Sequence, residues 1–358
     1  MQIFSISELK RAASSERIEG AVHGQVESIS KKETSQQKPY WELVIADAEA
    51  KLTLRAWSDS PNFALCADLA KGAFLEITGE FALNPPYGVD AKRWTCRALT
   101  AEETSALLRG PASLREKQDA DYEFLRETTS AIGDPRLRAL CEAFFSEWGE
   151  RFRRTGAARN YHHSRRGGLV EHTAQMMRAA SAIAAVYPRL NRDLLLAGVL
   201  FHDVGKLWEN AFPEHGFVMP YDERGELIGH ITIGIELVNT LWRKTQASSP
   251  AANDWPLLHP PTEEVRLHLL HLIAAHHGAK EFGSPVDPKT PEAFALNHID
   301  NLDAKLEMVF SGYETAAPLA PRIFERVRPL PGNLIEPLPP FVNEGETTKD
   351  EENGQMKD

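Results

Sequence analysis

The spacing of apolar residues changes once along this chain, near residue 99, and that change limits the folds available to it. Between residues 20 and 99, short apolar runs alternate with polar residues, a pattern typical of half-buried strands. The runs are GAVHGQVESISK, YWELVIADA, AKLTLRAWS, FLEITGEFAL and RWTCRALT. Gly72 and Gly79 are expected to bracket one strand, because glycine favours turns. Five short strands in this length predict a small β-barrel.

Beyond residue 99 the apolar residues recur at the spacing of an α-helix. The predicted helical segments are residues 102–108, 120–130, 135–152, 169–187, 192–208, 230–244, 263–277 and 291–313. The expected fold class is therefore multidomain, with a small N-terminal β-barrel followed by an all-α domain.

The length of 358 residues exceeds what one ordinary core would hold, so several domains are expected. We predict an N-terminal segment (1–17), a barrel (18–103), a helical linker that begins the helical part (104–158), a helical domain (159–325) and a tail (326–358). The tail is Pro-rich and then acidic, a composition that buries little surface. We expect roughly its last 15 residues to be disordered.

The composition limits the expected location of the protein and the kinds of partner that it can bind. No apolar run is long enough for a membrane helix, and the first residues lack the order of a secretory signal, so we expect a cytoplasmic protein without membrane association. The formal net charge of -11 argues against a broad basic face. Nucleic-acid binding would therefore require a local groove.

The cysteines argue against thiolate chemistry. Cys66, Cys96 and Cys141 are far apart and show no CxxC spacing, so neither a disulfide framework nor a thiolate metal site is expected. Any metal ion would have to use nitrogen and oxygen ligands.

Histidine and aspartate interrupt five segments of the helical half, namely LVEHT, LFHDVGK, IGHIT, AAHHG and HIDNLDAK. The residues are His172, His202, Asp203, His230, His276, His277 and Asp300. One histidine on an apolar helix is usually an ordinary core residue. Several such groups in apolar stretches would be costly to bury unpaired, and a metal ion removes that cost. Imidazole and carboxylate ligands suit Mn, Fe, Zn, Co or Ni.

The HisAsp pair constrains the geometry of the site. Neighbouring side chains on a helix point about 100° apart, so His202 and Asp203 need a local adjustment to face one ion. The two carboxylate oxygens of Asp203 could then bridge two ions. Two metals a few ångströms apart can activate a water and neutralise a phosphoryl group. The pattern therefore allows a site of two metal ions that share Asp203.

Further polar residues flank these segments. Lys206 lies one turn after His202, where it either reaches a phosphate oxygen as a catalytic and substrate-binding residue or ends a helix in solvent. Asp303 either orients a ligand or caps a polar helix face. The segment YHHSRRGG precedes the first ligand and is either a substrate loop or an ordinary surface loop. Its candidate substrate contacts are His162, His163, Arg165 and Arg166.

The order His, HisAsp, His, HisHis, Asp resembles the two-metal branch of the HD phosphohydrolases. That resemblance implies an HD domain in which the aspartate of the HD pair bridges the ions. One ion would be held by His172, His202, Asp203 and Asp300. The other would be held by Asp203, His230, His276 and His277.

Both halves together resemble a narrower family, the YhaM-type 3'-to-5' exoribonucleases. The resemblance spans roughly residues 18–313 and rests on HHSRRGGLVEHT, GVLFHDVGKLWE, GHITIG, AAHHG and HIDNLDAKLE. It implies that the barrel is an OB-like module that stacks the bases of a single strand on aromatic residues. The candidates in the barrel are Tyr40, Trp41, Trp57, Phe63, Tyr87 and Trp94, with Arg55, Lys92 and Arg93. For each aromatic, a place in the barrel core is the alternative.

These observations predict a metal-dependent hydrolase that degrades single-stranded RNA, or single-stranded DNA, from the 3' end with a metal-bound hydroxide. Two divalent ions are expected, Mn(II) first and Fe, Co, Ni or Zn as alternatives. The expected partner is a single-stranded nucleic acid, and a homo-oligomer is an open alternative. Two other functions stay open: an HD phosphohydrolase of a small nucleotide or cyclic dinucleotide with a regulatory barrel, and a nucleic-acid-binding regulator with a vestigial HD site.

Overall fold

The structure is a computed structural model and describes residues 1–14, 16–84, 88–159, 163–248 and 250–341. Two residues predicted to contact substrate, Tyr87 and His162, lie outside these ranges. The terminal segment in which we expect disorder lies outside them as well.

The N-terminal part is a single sheet with two short helices. Its elements are β1 (Ile3–Phe4), α1 (Ile6–Ala12), β2 (Ile18–Glu33), β3 (Pro39–Ala46), β4 (Lys51–Trp57), α2 (Asn62–Cys66), β5 (Phe74–Leu83) and β6 (Val89–Ala98). The long strands are antiparallel in the order β4-β3-β2-β5-β6, and β1 pairs with β2 in parallel. The indole Nε1 of Trp94 on β6 donates to the carbonyl oxygen of Arg55 on β4 at 3.5 Å, which links the two ends of the sheet. This is the OB-like half of the predicted fold class.

Alternation along the strands builds the core of this half. In β4 the side chains of Leu52, Leu54 and Ala56 are buried while their neighbours are not, as a spacing of two requires. Trp94 is fully buried in the same core. Its indole is therefore a core side chain, and the interpretation of Trp94 as a stacking residue was wrong.

The predicted end of a strand at Gly79 was also wrong. β5 continues through Gly79 to Leu83, and its register with β6 shifts between Thr78 and Glu80. A Cβ on Gly79 would lie 2.9 Å from the Cβ of Trp94. Glycine is thus needed here for close approach at a bulge, and not for a turn.

The remaining chain is helical up to residue 315. Its helices are α3 (Ala101–Arg109), α4 (Ala112–Ser130), α5 (Pro135–Phe152), α6 (Gly168–Val186), α7 (Arg192–Phe201), α8 (Lys206–Glu209), α9 (Glu223–Ser248), α10 (Thr262–Ala275) and α11 (Pro291–Thr315). Short 3-10 helices cover Pro250–Leu257 and Lys280–Phe282. Phe144 packs edge-on against Phe152 and Phe201, each ring centroid 5.5 Å away, in the main apolar core. The all-α half of the predicted fold class is confirmed.

Two helices differ from the sequence prediction. The segment 192–208 is not one helix, because α7 ends at Phe201 and α8 begins only at Lys206. α9 begins before His230, at Glu223, but Gly229 interrupts it with φ 68° and ψ 159°. His230 therefore opens the second part of a kinked helix.

The described chain divides into two compact units, Met1–Met308 and a second that starts at Val309. Within the first unit, Phe217 packs with Ala46 and Ala48 of the barrel, and its backbone N–H donates to Gln25 Oε1 at 2.7 Å. The second unit contains a small antiparallel sheet of β7 (Pro318–Ala320), β8 (Ile323–Phe324) and β9 (Leu334–Ile335). The finer domain boundaries given above stay a prediction. None of the helices in the described ranges combines the length and the apolar character of a bilayer span.

Candidate metal centre

Five elements bring the predicted ligands to one buried place in the helical half. His172 lies on α6, His202 and Asp203 follow the end of α7, and His230 begins the second part of α9. His276 and His277 follow α10, and Asp300 lies on α11. The sharp turn after α7 lets the neighbouring His202 and Asp203 face the same place, which an unbroken helix would not allow.

The first group of donors surrounds one oxygen of Asp203. The Nε2 atom of His172 lies 3.3 Å from His202 Nε2 and 3.3 Å from Asp300 Oδ1. The Oδ2 atom of Asp203 lies 3.3 Å from His202 Nε2 and 3.9 Å from His172 Nε2. The donor atoms of His172, His202 and Asp300 are close enough to ligate one small cation together, and Asp203 Oδ2 lies beside two of them.

The second group surrounds the other oxygen of the same carboxylate. The Oδ1 atom of Asp203 lies 3.6 Å from His230 Nε2 and 3.5 Å from His276 Nε2. His277 also offers a donor atom, and all four donors lie within 4.8 Å of one another. Asp203 thus presents one oxygen to each group, which is the arrangement of a bridging carboxylate.

The imidazole rings are held by their other nitrogen. Each Nδ1 atom lies within 2.7–2.9 Å of an oxygen acceptor, to which its N–H donates. The acceptors are Asp303 for His172, the Val199 carbonyl for His202, Glu209 for His230, the Ile273 carbonyl for His276 and the Phe282 carbonyl for His277. With the proton assigned to Nδ1, every Nε2 lone pair is left for a metal ion.

Several of these inward-facing atoms are buried without a hydrogen-bond partner. Within the described residues they include Asp203 Oδ1, His230 Nε2 and His276 Nε2. A buried unsatisfied polar atom costs about 1 to 3 kcal/mol. A divalent cation would satisfy all three at once, so the donor set fits a metal ion with nitrogen and oxygen ligands.

The protonation states follow from burial and neighbouring charge. Burial lowers the pKa of both His276 and His277, which favours the neutral form that binds metal. Burial also opposes the charged form of His172, but hydrogen bonds with Asp300 and Asp303 outweigh it and raise the pKa of His172 to about 9. A metal ion at His172 Nε2 would therefore displace a proton from that nitrogen. Burial likewise works to raise the pKa of Asp203, yet the charge of Lys206 and contact with His202 hold that pKa well below its usual value.

Lys206 is part of the centre and not a solvated residue at a helix end. It is 8% exposed, and its Nζ lies 2.5 Å from Asp203 Oδ2. The ammonium therefore fixes the bridging carboxylate and keeps further N–H donors for a substrate oxygen.

The segment before α6 has structural partners of its own. His163 is buried and its Nε2 lies 3.2 Å from Asp303 Oδ2. Arg165 forms a bidentate pair with the buried Glu171, at 2.9 and 2.5 Å. Arg166 donates to backbone carbonyl oxygens, including that of Glu214 at 3.2 Å. Substrate contact by these residues stays a prediction.

Sequence reasoning missed one residue of this centre. Glu209 ends α8 and lies 2.9 Å from His230 Nδ1. Its only signal in the sequence is its position one turn after Lys206 in HDVGKLWE.

The barrel brings some of the predicted nucleic-acid contacts together. The rings of Tyr40 and Trp57 lie 4.9 Å apart on neighbouring strands, and Trp57 is 37% exposed. Arg55 lies 3.9 Å from Glu42, and the largely exposed Arg93 lies 3.4 Å from Glu80. Their contact with nucleic acid stays a prediction.

Comparison with known proteins places this geometry in a family. The model of the HD domain matches residues 169–305. A relative named 3'-5' exoribonuclease YhaM, from Halalkalibacterium halodurans, is 31% identical over 82% of this chain and 85% of its own. The chain belongs to the YhaM family. A second YhaM protein, from Oceanobacillus iheyensis, is 29% identical over 80% of this chain and 84% of its own. The YhaM protein of Bacillus licheniformis is 35% identical over 58% of this chain and 60% of its own. An HD domain uses divalent metal, which agrees with the donor groups around Asp203.

Proposed function

We propose that this protein is a metal-dependent 3'-to-5' exoribonuclease that hydrolyses single-stranded RNA. The observation that carries the proposal is the carboxylate of Asp203, which offers one oxygen to each of two groups of donors. The YhaM relatives, whose printed names give this activity, support the choice of substrate.

Two divalent ions, Mn(II) first, would be held by the two groups. His172, His202 and Asp300 would hold one ion, while His230, His276 and His277 would hold the other, with Asp203 shared. Bound divalent ions supply Lewis acidity and make a water a stronger nucleophile towards phosphorus.

The protein's own residues position these groups. Lys206 holds Asp203 and would donate from its remaining N–H groups to a non-bridging phosphate oxygen. Asp303 and Glu209 hold the rings of His172 and His230. These contacts hold Asp203, His172 and His230 in place before substrate binds, so little reorganisation of these side chains would accompany catalysis.

The barrel would supply the affinity for a polymer. Tyr40 and Trp57 form an aromatic pair on the face of β3 and β4, the strands that carry ligands in OB-folds. A single strand bound there would end in the metal centre. A cytoplasmic location and a homo-oligomer stay predictions.

Product analysis tests the proposal. The protein is stripped of metal by a chelator, resupplied with Mn(II) and incubated with 5'-labelled single-stranded RNA. We expect a ladder that shortens from the 3' end, releases mononucleotides and is absent without metal. An Asp203→Asn variant should be inactive. Intact RNA beside hydrolysed cyclic dinucleotide would contradict the proposal in favour of a small-molecule phosphohydrolase.

A further inference from the structure

A cationic cavity lies where the barrel meets the helical half, and its lining contains none of the candidate metal ligands. It measures about 270 Å³ and is bounded by Ala48 of the β3–β4 turn, by α3 and α4, and by Val170 of α6. Four arginines line it, namely Arg109, Arg115, Arg153 and Arg166. Asp119 is the acidic residue of the lining. Positive charge is thus concentrated here in a chain whose formal net charge is -11.

The carboxylate of Asp119 pairs with Arg153 and so leaves the charges of the other three arginines uncompensated by this residue. Arg166 donates only to backbone carbonyl oxygens, which carry no full charge. Arg109 donates to the hydroxyl of Ser105 at 3.0 Å. The guanidinium of Arg115 has no hydrogen-bond or ion-pair partner within the described residues, and the residue is exposed. Repulsion among guanidinium groups that share a cavity is relieved when an anion enters.

The chemistry of the lining selects the class of anion. Guanidinium groups bind phosphate oxygens in a bidentate manner, more readily than they bind halide or other spherical anions. Leu108, Leu114 and Val170 add an apolar wall, against which a sugar or base can pack. A phosphate attached to a nucleoside matches both parts of the lining.

The cavity is also connected to the metal centre. Gln118 lines it and donates to the carbonyl oxygen of Arg166 and to Glu171 Oε1, each at 2.9 Å. Glu171 directly precedes His172 on α6. The cavity is thus lined both by the barrel, through Ala48, and by α6, the helix that carries His172.

We propose that the cavity binds a phosphodiester of a single-stranded nucleic acid upstream of the scissile bond. This inference rests on the proposed function, because it assigns a place on the substrate path. Arg109 and Arg115 contact the phosphate, while Arg153 and Arg166 shape the cavity through their protein partners.

The test is the salt dependence of binding by the full-length, metal-free protein, measured by fluorescence anisotropy with labelled single-stranded RNA. An R109Q/R115Q variant should lower the slope of log K against log salt by about 0.7, since losing the contact to one phosphate of a single strand removes about 0.7. Its Kd for RNA should rise about tenfold at low salt. Arg126→Gln is the matched control, because Arg126 lies on α4 beside Glu123 and outside this cavity.

A second substrate separates this inference from the proposed function. With Mn(II), the double variant should hydrolyse a small phosphodiester at the parent rate, because that substrate reaches only the metal centre. If the double variant keeps the parent slope and Kd for RNA, the cavity proposal is overturned. If it loses affinity for AMP and not for RNA, the occupant is a free nucleotide, and the proposal is overturned too. Failure of the parent to degrade RNA would contradict the proposed function alone. The salt dependence of RNA binding is measured without hydrolysis and would still test the cavity.

Discussion

At the scale of single residues, each histidine of the metal centre is fixed through Nδ1 and directs Nε2 inward. Backbone carbonyls hold three of the rings and carboxylates hold the other two. Asp303 and Glu209 are therefore positioning residues, which act through His172 and His230.

Removing either carboxylate should weaken metal binding without removing a ligand. We expect Asp303→Asn and Glu209→Gln each to lower Mn(II) affinity about 10- to 100-fold, because the imidazole loses basicity and orientation. Isothermal titration calorimetry of the metal-free protein measures this effect. Glu236→Gln, an exposed residue paired with Arg224, is the control and should bind like the parent. Parent-like affinity in both positioning variants would contradict the assignment.

His202, Asp203, His276 and His277 could be predicted as candidate ligands from the sequence because they interrupt apolar runs, where an unpaired polar residue would be costly to bury. Glu209 could not, because a glutamate at a helix end is ordinarily solvated. Glu209 contacts His230 because α8 packs beside α9. The packing of these two helices could not be predicted from the sequence.

At the scale of elements, the break between α7 and α8 sets the geometry of the site. The sequence prediction joined them because LLLAGVLFHDVGKLW keeps the helical period throughout. The break depends on a tertiary contact, since a Cβ on Gly205 would lie 1.8 Å from the carbonyl oxygen of His230. Gly205 thus allows the turn after Asp203 to lie against the start of the second part of α9.

A side chain at position 205 should push these two ligand-bearing segments apart. We expect Gly205→Ala to lower Mn(II) affinity at least tenfold and to destabilise the fold by about 1 to 3 kcal/mol, the usual range for overpacking. Calorimetric titration and urea unfolding measure the two effects. Gly332→Ala is the control, because no atom lies within 4 Å of a Cβ placed there. Unchanged metal affinity in Gly205→Ala would show that the contact does not set the site.

The start of α5 predicts how stability depends on pH. Asp134 caps α5 and forms an ion pair at 2.7 Å with Arg136, which is 1% exposed. Partial burial works to raise the pKa of Asp134, but hydrogen bonds and the charge of Arg136 outweigh it and hold the pKa below the usual value. A carboxylate with a lowered pKa stabilises the fold above its unfolded pKa and loses this contribution as pH falls through its folded pKa.

We therefore expect Asp134→Asn to cost about 1 to 3 kcal/mol near pH 6, where the lost bonds involve charged groups. The difference from the parent should shrink as pH falls below about 4, the usual pKa of an unfolded aspartate, and should disappear below the lower folded pKa, where the parent carboxylate is protonated too. Urea unfolding across this range measures the difference. Asp59→Asn, whose carboxylate is exposed, is the control and should stay near the parent. A cost independent of pH would contradict the role of the charge.

At the scale of the whole molecule, Phe217 forms a contact between the barrel and the helical half. Its ring packs with Ala46 and Ala48, and its N–H donates to Gln25. Both halves could be predicted from the change of period near residue 99. Their contact could not, because Phe217 lies in a segment without helical or strand periodicity.

Loss of this contact should uncouple the halves and leave each core intact. We expect Phe217→Ala to cost about 3 kcal/mol or more and to expose the junction to protease. Turnover of a small phosphodiester should persist while RNA degradation slows. Limited proteolysis and paired activity assays measure this, with the 92%-exposed Phe341→Ala as control. Equal loss of both activities would mean that Phe217 supports the metal centre itself.

The proposed mechanism depends most on two metal ions that share Asp203. The direct measurement is an anomalous difference map from crystals of the protein grown with Mn(II). We predict two peaks, one beside each oxygen of Asp203, and the loss of the peak beside Oδ1 in a His276→Ala variant. One peak, or peaks away from Asp203, would contradict the two-metal centre.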